Sequence, residues 1–306
     1  MSNDDAALGL DTLPNRERSK VVDALREGPV IPAGLVDELT TDLGIIIDQL
    51  MIALLPAASS HARIPLSGFP VGAVALGSTT GNLYLGANME FPSHALSFSV
   101  HGEQSATNNA WLHDERALDA IAVNEVPCGH CRQFLNELAT SADLKILLSS
   151  KTGTLTNFAH STKPLSHYLR DSFGPADLGI TDGLMDPQSN GLSLDSTDPL
   201  VQHALDAANA SYSPYTRNFA GVAVRTFARK TYVGRYAENA AFNPSMSPLQ
   251  SALASLNMHE PAQTPYAIEA AVLVEASESM ISQLSTTQAV LSSVAPDVEL
   301  QHVLAR

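Results

Sequence analysis

The chain has 306 residues with 17 Lys and Arg against 32 Asp and Glu, a formal charge of −15. Such a surface repels phosphate backbones and anionic membranes, so neither nucleic acid nor a membrane is an expected partner. Hydrophobic residues at 44% and charged residues at 16% exclude a disordered chain and supply a core for about two ordinary domains.

From the N-terminus, "SKVVDALREG" and "GLVDELTTDLGIIIDQLMIALL" carry apolar residues at three- and four-residue spacings, so residues 1 to about 50 are expected to be helical. The run "LGIIIDQLMIALLPAAS" is interrupted by Asp48 and closed by Pro56; it is too short to span a bilayer and suits a buried helix. "FPVGAVAL" and "NLYLGANM", joined by "GSTTGN", predict a β-hairpin. "GEQSATNNAWLHDERAL" then predicts a helix, "DAIAVNEV" a strand, "CGHCRQFLNELATS" a helix and "LKILLSS" a strand. Strands alternating with helices imply an α/β layer structure.

Residues from about 160 to 196 are rich in Gly, Pro, Asp and Ser, the texture of a long connection. Beyond it the earlier pattern returns. "FAGVAVRT", "TYVGRYAENAAF" and "SPLQSALASL" repeat "FPVGAVAL", "LYLGANMEF" and "HGEQSATNNA", pairing Gly72 with Gly221, Gly86 with Gly234, Glu90 with Glu238 and Gln104 with Gln250. The division expected is a helical segment over 1–50, a first domain over 51–160, a connection over 161–196 and a second domain over 197–306. Where the first copy has His101-Gly102-Glu103, the second has Ser247-Pro248-Leu249, and it has no cysteine. Only the first copy keeps reactive side chains.

The two cysteines, Cys128 and Cys131, stand in "VPCGHCRQFLNELA". A redox pair at a helix start would leave His101 and Glu103 without a use. A structural four-sulfur zinc site needs a second pair that the chain lacks. A catalytic zinc needs only three protein ligands and an open position for water. Cys128 and Cys131 at i and i+3 can grip one metal from one helix face, with His101 as the third ligand. Glu103 stands two residues on, placed to act as a proton shuttle. His130 is expected to face outward or to support a ligand. The order H-x-E, then P-C-x-x-C about 25 residues later, is the arrangement of zinc deaminases.

On "GANMEF", "HGEQSA", "VPCGHCRQFLNEL", "FGPADL" and "GRYAENAAFNP" the sequence resembles the cytidine deaminases, specifically the long bacterial type with two deaminase-like domains per chain. The resemblance covers most of the chain from about residue 50 onward. It implies a duplicated three-layer α/β/α core with a small N-terminal helical segment, the second copy being degenerate. It also implies one Zn2+ per chain on His101, Cys128 and Cys131, and Glu103 as the proton carrier. Cytidine and 2′-deoxycytidine would be hydrolysed to the uridines and ammonia, a zinc-activated water attacking C4. Asn88 and Glu90 are implied as ribose partners, their bland alternatives being a turn residue and a solvated strand end. Phe69 is implied beside the pyrimidine, with Gly102 N–H and the Val126 carbonyl as backbone contacts to the base. Phe173, Ala241 and Phe242 would close the pocket in a homodimer. The family usually has alanine at Gly102, and often an aromatic and a threonine at Glu125 and Val126. With reduced cysteines and no basic-then-apolar leader, the cytoplasm is the expected location. The alternatives weighed are a polynucleotide cytosine deaminase, which would want a basic groove with aromatic platforms, and a non-catalytic, zinc-stabilised nucleoside-binding protein.

Overall fold

Val21 and Val22 anchor helix α1 (Asn15–Glu27) through its inward face. A two-residue strand β1 (Val30–Ile31) leads to helices α2 (Ala33–Leu43) and α3 (Ile47–Ser59). The apolar spacing runs on through 34–55, and the chain bends by 107° between α2 and α3. Gly44 makes the break: it is left-handed (φ 62°, ψ 38°), and the Ile45 N–H returns to the Thr40 carbonyl at 3.1 Å. Glycine takes this helix-stop conformation without a Cβ clash.

The structure, a computed structural model, describes residues 8–149, 155, 160–260 and 266–306. The expected helical reach over residues 1–7, the strand end at Ser150 and most of the closing stretch of the 51–160 segment lie outside the described residues. The chain forms two compact units, Met1–Met89 with His101–Ser172, and Glu90–Val100 with Phe173–Arg306.

In the first unit the predicted hairpin is β2 (Gly72–Gly77) and β3 (Leu83–Ala87), in antiparallel register with Ala73 opposite Gly86. Helix α4 (Gly102–Leu112), β4 (Leu118–Val123), α5 (Gly129–Leu135), β5 (Lys145–Ser149), β6 (His160–Pro164) and a short turn of helix α6 (Leu165–Tyr168) complete it. Helices α4 and α5 are shorter than the sequence pattern predicts. The chain leaves α4 at His113 and Asp114, where Asp114 adopts a positive φ of 58°. The sheet order is β1-β3-β2-β4-β5-β6, with β4 parallel to β5. Neither β1 nor β6 is evident in the sequence; both are edge strands added to the repeating four.

The second unit runs α7 (Pro199–Asn209), β7 (Ala220–Thr226), β8 (Thr231–Arg235), α8 (Pro248–His259), β9 (Ile268–Ala276), α9 (Leu284–Val294) and β10 (Leu300–Ala305). Its sheet order, β10-β9-β7-β8, matches the first sheet's central β5-β4-β2-β3 strand for strand, including the parallel last pair. Even the register irregularity recurs, between Leu76 and Gly77 and between Arg225 and Thr226.

Two paired glycines explain the layering. A Cβ on Gly72 would meet the α3 backbone at Ser59 and Leu55, and one on Gly86 would meet the α4 backbone at Ala106. Neighbouring strand residues point to opposite faces while registered partners share one. Gly86 pairs with Ala73, the neighbour of Gly72, so α3 and α4 cover opposite faces of the sheet. In the second unit Gly221 meets the α7 backbone at Ala208 and Gly234 meets the α8 backbone at Ala252. With Gly234 opposite Val222, the same three layers follow. The α/β/α core is therefore duplicated, on the glycine pairs the sequence repeat aligned. Among the described residues no single helix is long and apolar enough to cross a membrane.

Candidate active site

Two helix starts meet at the candidate centre. His101 is the residue before α4, in extended conformation (φ −91°, ψ 160°), and its N–H donates to the Gln104 side chain at 3.1 Å. Cys128 occupies the same position before α5 (φ −70°, ψ 168°), and Cys131 lies within that helix's first turn. The His101 Nδ1 is 3.4 Å from Cys128 Sγ, and the two sulfurs are 3.6 Å apart. All three ligand atoms lie within 4.8 Å of one another.

This donor set suits zinc. Tetrahedral ligands at about 2.3 Å for sulfur and about 2.0 Å for nitrogen stand roughly 3.5–3.8 Å apart, close to the spacings found. The two sulfurs are within hydrogen-bonding reach of each other. The hydrogen bond with Cys131, helped by the His101 ring, pulls the exposed Cys128 down to about 3. The contact with Cys128, together with burial, pushes Cys131 up. The hydrogen bond to Cys128 raises His101, against the effect of burial. Glu103 is only 3% exposed, and burial pushes its carboxyl above the ordinary range. Thus a buried carboxyl able to carry a proton stands beside three soft ligands. The His130 ring lies 5.1 Å from that of His101, so His130 flanks the ligand.

Residues 46–144 match a family model described as "Cytidine and deoxycytidylate deaminase zinc-binding region", and residues 165–288 match a second model of the same description. A protein named "Cytidine deaminase" from Shewanella sediminis is 47% identical over 274 residues, 90% of this chain and 88% of that protein. One of the same name from Shewanella halifaxensis is 48% identical, covering 84% of this chain and 83% of its own. A third, from Vibrio cholerae, is 47% identical, covering 87% and 86%. The chain belongs to the cytidine deaminase family.

The candidate metal-binding group His101, Cys128 and Cys131 lies in the first copy. Of the expected base contacts, Phe69 is 52% and Val126 60% exposed. Asn88 follows β3, and its side chain is already engaged: its oxygen accepts from Val71 N–H at 2.9 Å and its amide donates to the Phe69 carbonyl at 3.0 Å. An amide nitrogen carries two hydrogens, so one donor remains. Glu90 is half-buried just beyond. Gly102 begins α4 against Val71; an added Cβ there would stand 3.1 Å from both Val71 Cγ1 and its carbonyl oxygen. Phe173, Ala241 and Phe242 belong to the second unit, where all three are exposed. Phe242 is 65% exposed and left-handed (φ 61°), held by a bond from its N–H to the Asn239 carbonyl. A bulky residue rarely adopts that conformation.

In the second unit the two corresponding helix starts carry hydrogen-bonding residues. Ser247, in the position of His101, caps α8 by accepting from Gln250 N–H at 3.3 Å. Near the start of α9 the buried Glu275 accepts from Ser282 at 2.6 Å and Gln283 N–H at 2.9 Å, with His302 Nε2 at 2.8 Å. Asn124 is a first-unit residue that the motifs pass over. It sits at the end of β4, four residues before Cys128, and bonds both Gly72 and Pro70.

Proposed function

We propose that this protein hydrolyses cytidine and 2′-deoxycytidine to uridine and 2′-deoxyuridine with release of ammonia, a hydrolase acting on a cyclic amidine. The observation that carries this reading is the convergence of His101, Cys128 and Cys131 within 4.8 Å beside the buried carboxyl of Glu103. His101, Cys128 and Cys131 would hold one zinc. When bound, zinc supplies the Lewis acidity that makes water nucleophilic near neutral pH.

Glu103 takes a proton from the attacking water and delivers it to N3 of the base as the C4–O bond forms. It then carries the remaining proton to the amine that leaves C4. Burial suits it to this exchange, because a carboxyl raised toward neutrality both accepts and gives protons readily. Asn88, with its spare N–H, and Glu90 bind the sugar hydroxyls, and Phe69 packs on the pyrimidine. The Gly102 N–H meets the base carbonyl and the Val126 carbonyl accepts from the amino group. The exposure of Phe69 and Val126 leaves apolar surface for a cover. We assign that cover to a second copy of the chain, whose Ala241 and Phe242 reach the site, with Phe173 closing the pocket. In this homodimer the 51–160 domain does the chemistry and the 197–306 domain completes the site. The reducing cytoplasm keeps the ligand thiols available.

The test measures ammonia release from cytidine and from single-stranded DNA by the parent and Glu103→Gln, with metal analysis of both. About one zinc per chain is expected in each. Cytidine turnover in the variant should fall at least about 10²-fold, the usual worth of general acid–base work, and DNA should release nothing. Turnover surviving within a few-fold would assign the shuttle to another group.

A further inference from the structure

We propose that Asn124 is a positioning residue that, with Asn88, clamps the segment Phe69–Gly72 and so sets the substrate-facing edge of the site. The inference rests on reading Phe69 and Gly102 as base contacts. Asn88 follows β3 and Asn124 follows β4, the two neighbours of β2 in the sheet. Between them runs the chain entering β2. Asn88 takes alternate residues, accepting from Val71 N–H at 2.9 Å and donating to the Phe69 carbonyl at 3.0 Å. Asn124 takes the other two, accepting from Gly72 N–H at 2.9 Å and donating to the Pro70 carbonyl at 3.1 Å. The main-chain N–H of Asn88 also reaches the Val71 carbonyl at 3.1 Å, and that of Asn124 the Gly72 carbonyl at 3.4 Å.

The orientation of both amides is forced. Each faces one backbone N–H, which can only donate, and one carbonyl, which can only accept, so a flipped amide would lose both bonds. The segment entering β2, of which only Gly72 is in regular strand pairing, is thereby held on both sides. It bears Phe69, and it bears Val71, which abuts Gly102. Displacing the segment would move both base contacts together.

The second copy supplies an internal comparison. By sheet register, Val71 opposite Asn88 corresponds to Ala220 opposite Tyr236, and Ala73 opposite Val123 corresponds to Val222 opposite Leu273. Asn88 is thus replaced by Tyr236 and Asn124 by Val274. Phe69 is replaced by Asn218, whose amide is spent inside the unit on Glu275 and Ser279. Both clamp residues are missing from the copy that also lacks the metal ligands, while the strands they follow are retained.

The experiment compares Asn124→Ala and Asn124→Asp in the parent and in a Phe69→Ala background. Asp keeps the acceptor for Gly72 but cannot donate to Pro70. Losing one or two such bonds corresponds to about a tenfold effect. Both variants should raise KM for cytidine roughly tenfold, with kcat within about threefold and zinc content unchanged. In the Phe69→Ala background the same substitutions should change KM less than about twofold, because the residue being positioned is gone. Backbone hydrogen exchange in the peptide spanning Phe69–Leu76 should accelerate in both variants. An equal KM effect in both backgrounds, or unchanged exchange, overturns the proposal. If Phe69→Ala alone leaves KM unchanged, the base-contact reading has failed, and the exchange rates then decide the clamp by themselves.

Discussion

At the residue scale, the centre distinguishes its two cysteines. Cys128 is exposed and, without metal, its thiol is pulled down to about 3; Cys131 is buried and raised. The thiolate is the reactive form, so stripping zinc with a chelator should expose one rapidly alkylated thiol per chain. Mass mapping should place it at Cys128, with reactivity persisting at pH 6, and adding zinc back should suppress it. Equal labelling of Cys131, or no protection by zinc, would count against the ligand assignment. The same scale bears on Gly102, where the family usually carries alanine. The Val71 carbonyl that a Cβ would approach is tied to Asn88 and cannot easily yield, so glycine suits this particular pocket edge.

At the element scale, helix α4 lies close on the sheet because Gly86 has no side chain. A Cβ there would overlap the backbone of Ala106, and neither the strand nor the helix backbone can move without breaking its own hydrogen bonds. Helix α4 also begins with His101 and Glu103, so lifting it displaces the chemistry. Gly86→Ala should therefore cost more than the roughly 1–3 kcal/mol of ordinary overpacking. It should also reduce zinc content, measured by thermal unfolding and metal analysis. Gly34→Ala is the control: it lies inside α2 with open space around it, and should stabilise by about 0.5–1 kcal/mol. If the two substitutions behaved alike, close packing would not be what retains glycine at 86.

At the scale of the whole molecule, the second unit keeps the sheet order, the layers and the glycine contacts of the first, and has hydrogen-bonding residues at the two helix starts that carry His101 and Cys128 in the first. This unit, in which Ser247-Pro248-Leu249 stands for His101-Gly102-Glu103, presents Phe242 to solvent in a costly left-handed conformation. Mixing Glu103→Gln chains with Phe242→Ala chains tests the shared pocket. Each is expected to be impaired alone. After subunit exchange, heterodimers should regain activity at the one site that combines an intact Glu103 with an intact Phe242. Should activity stay at the sum of the two parents once exchange is verified, each chain works with its own residues only. A fragment ending near residue 160 should bind zinc yet deaminate poorly and aggregate, for lack of the same cover.

The metal centre and the duplication were legible in the sequence because both are carried by residue chemistry at short spacing. A thiol pair three residues apart, an H-x-E, and glycines where helices crowd strands depend on local geometry that a one-dimensional pattern preserves. The bend at Gly44 is not legible in the apolar periodicity, which continues through it; only the left-handed glycine turns the chain. The clamp was invisible for a different reason. Asn124 and Gly72 are 52 residues apart and meet only because β4 pairs with β2 in one register. An asparagine at a strand end is an ordinary residue until the sheet sets what lies opposite it. The Glu275 cluster of the second unit was likewise decided by packing, since Glu275, Ser282 and His302 come together only when β9, the start of α9 and β10 are assembled. Spacing along the chain determined which chemistry this protein could carry; tertiary register decided which side chains hold that chemistry in place, because hydrogen bonds act over a few ångströms of space whatever the distance in sequence.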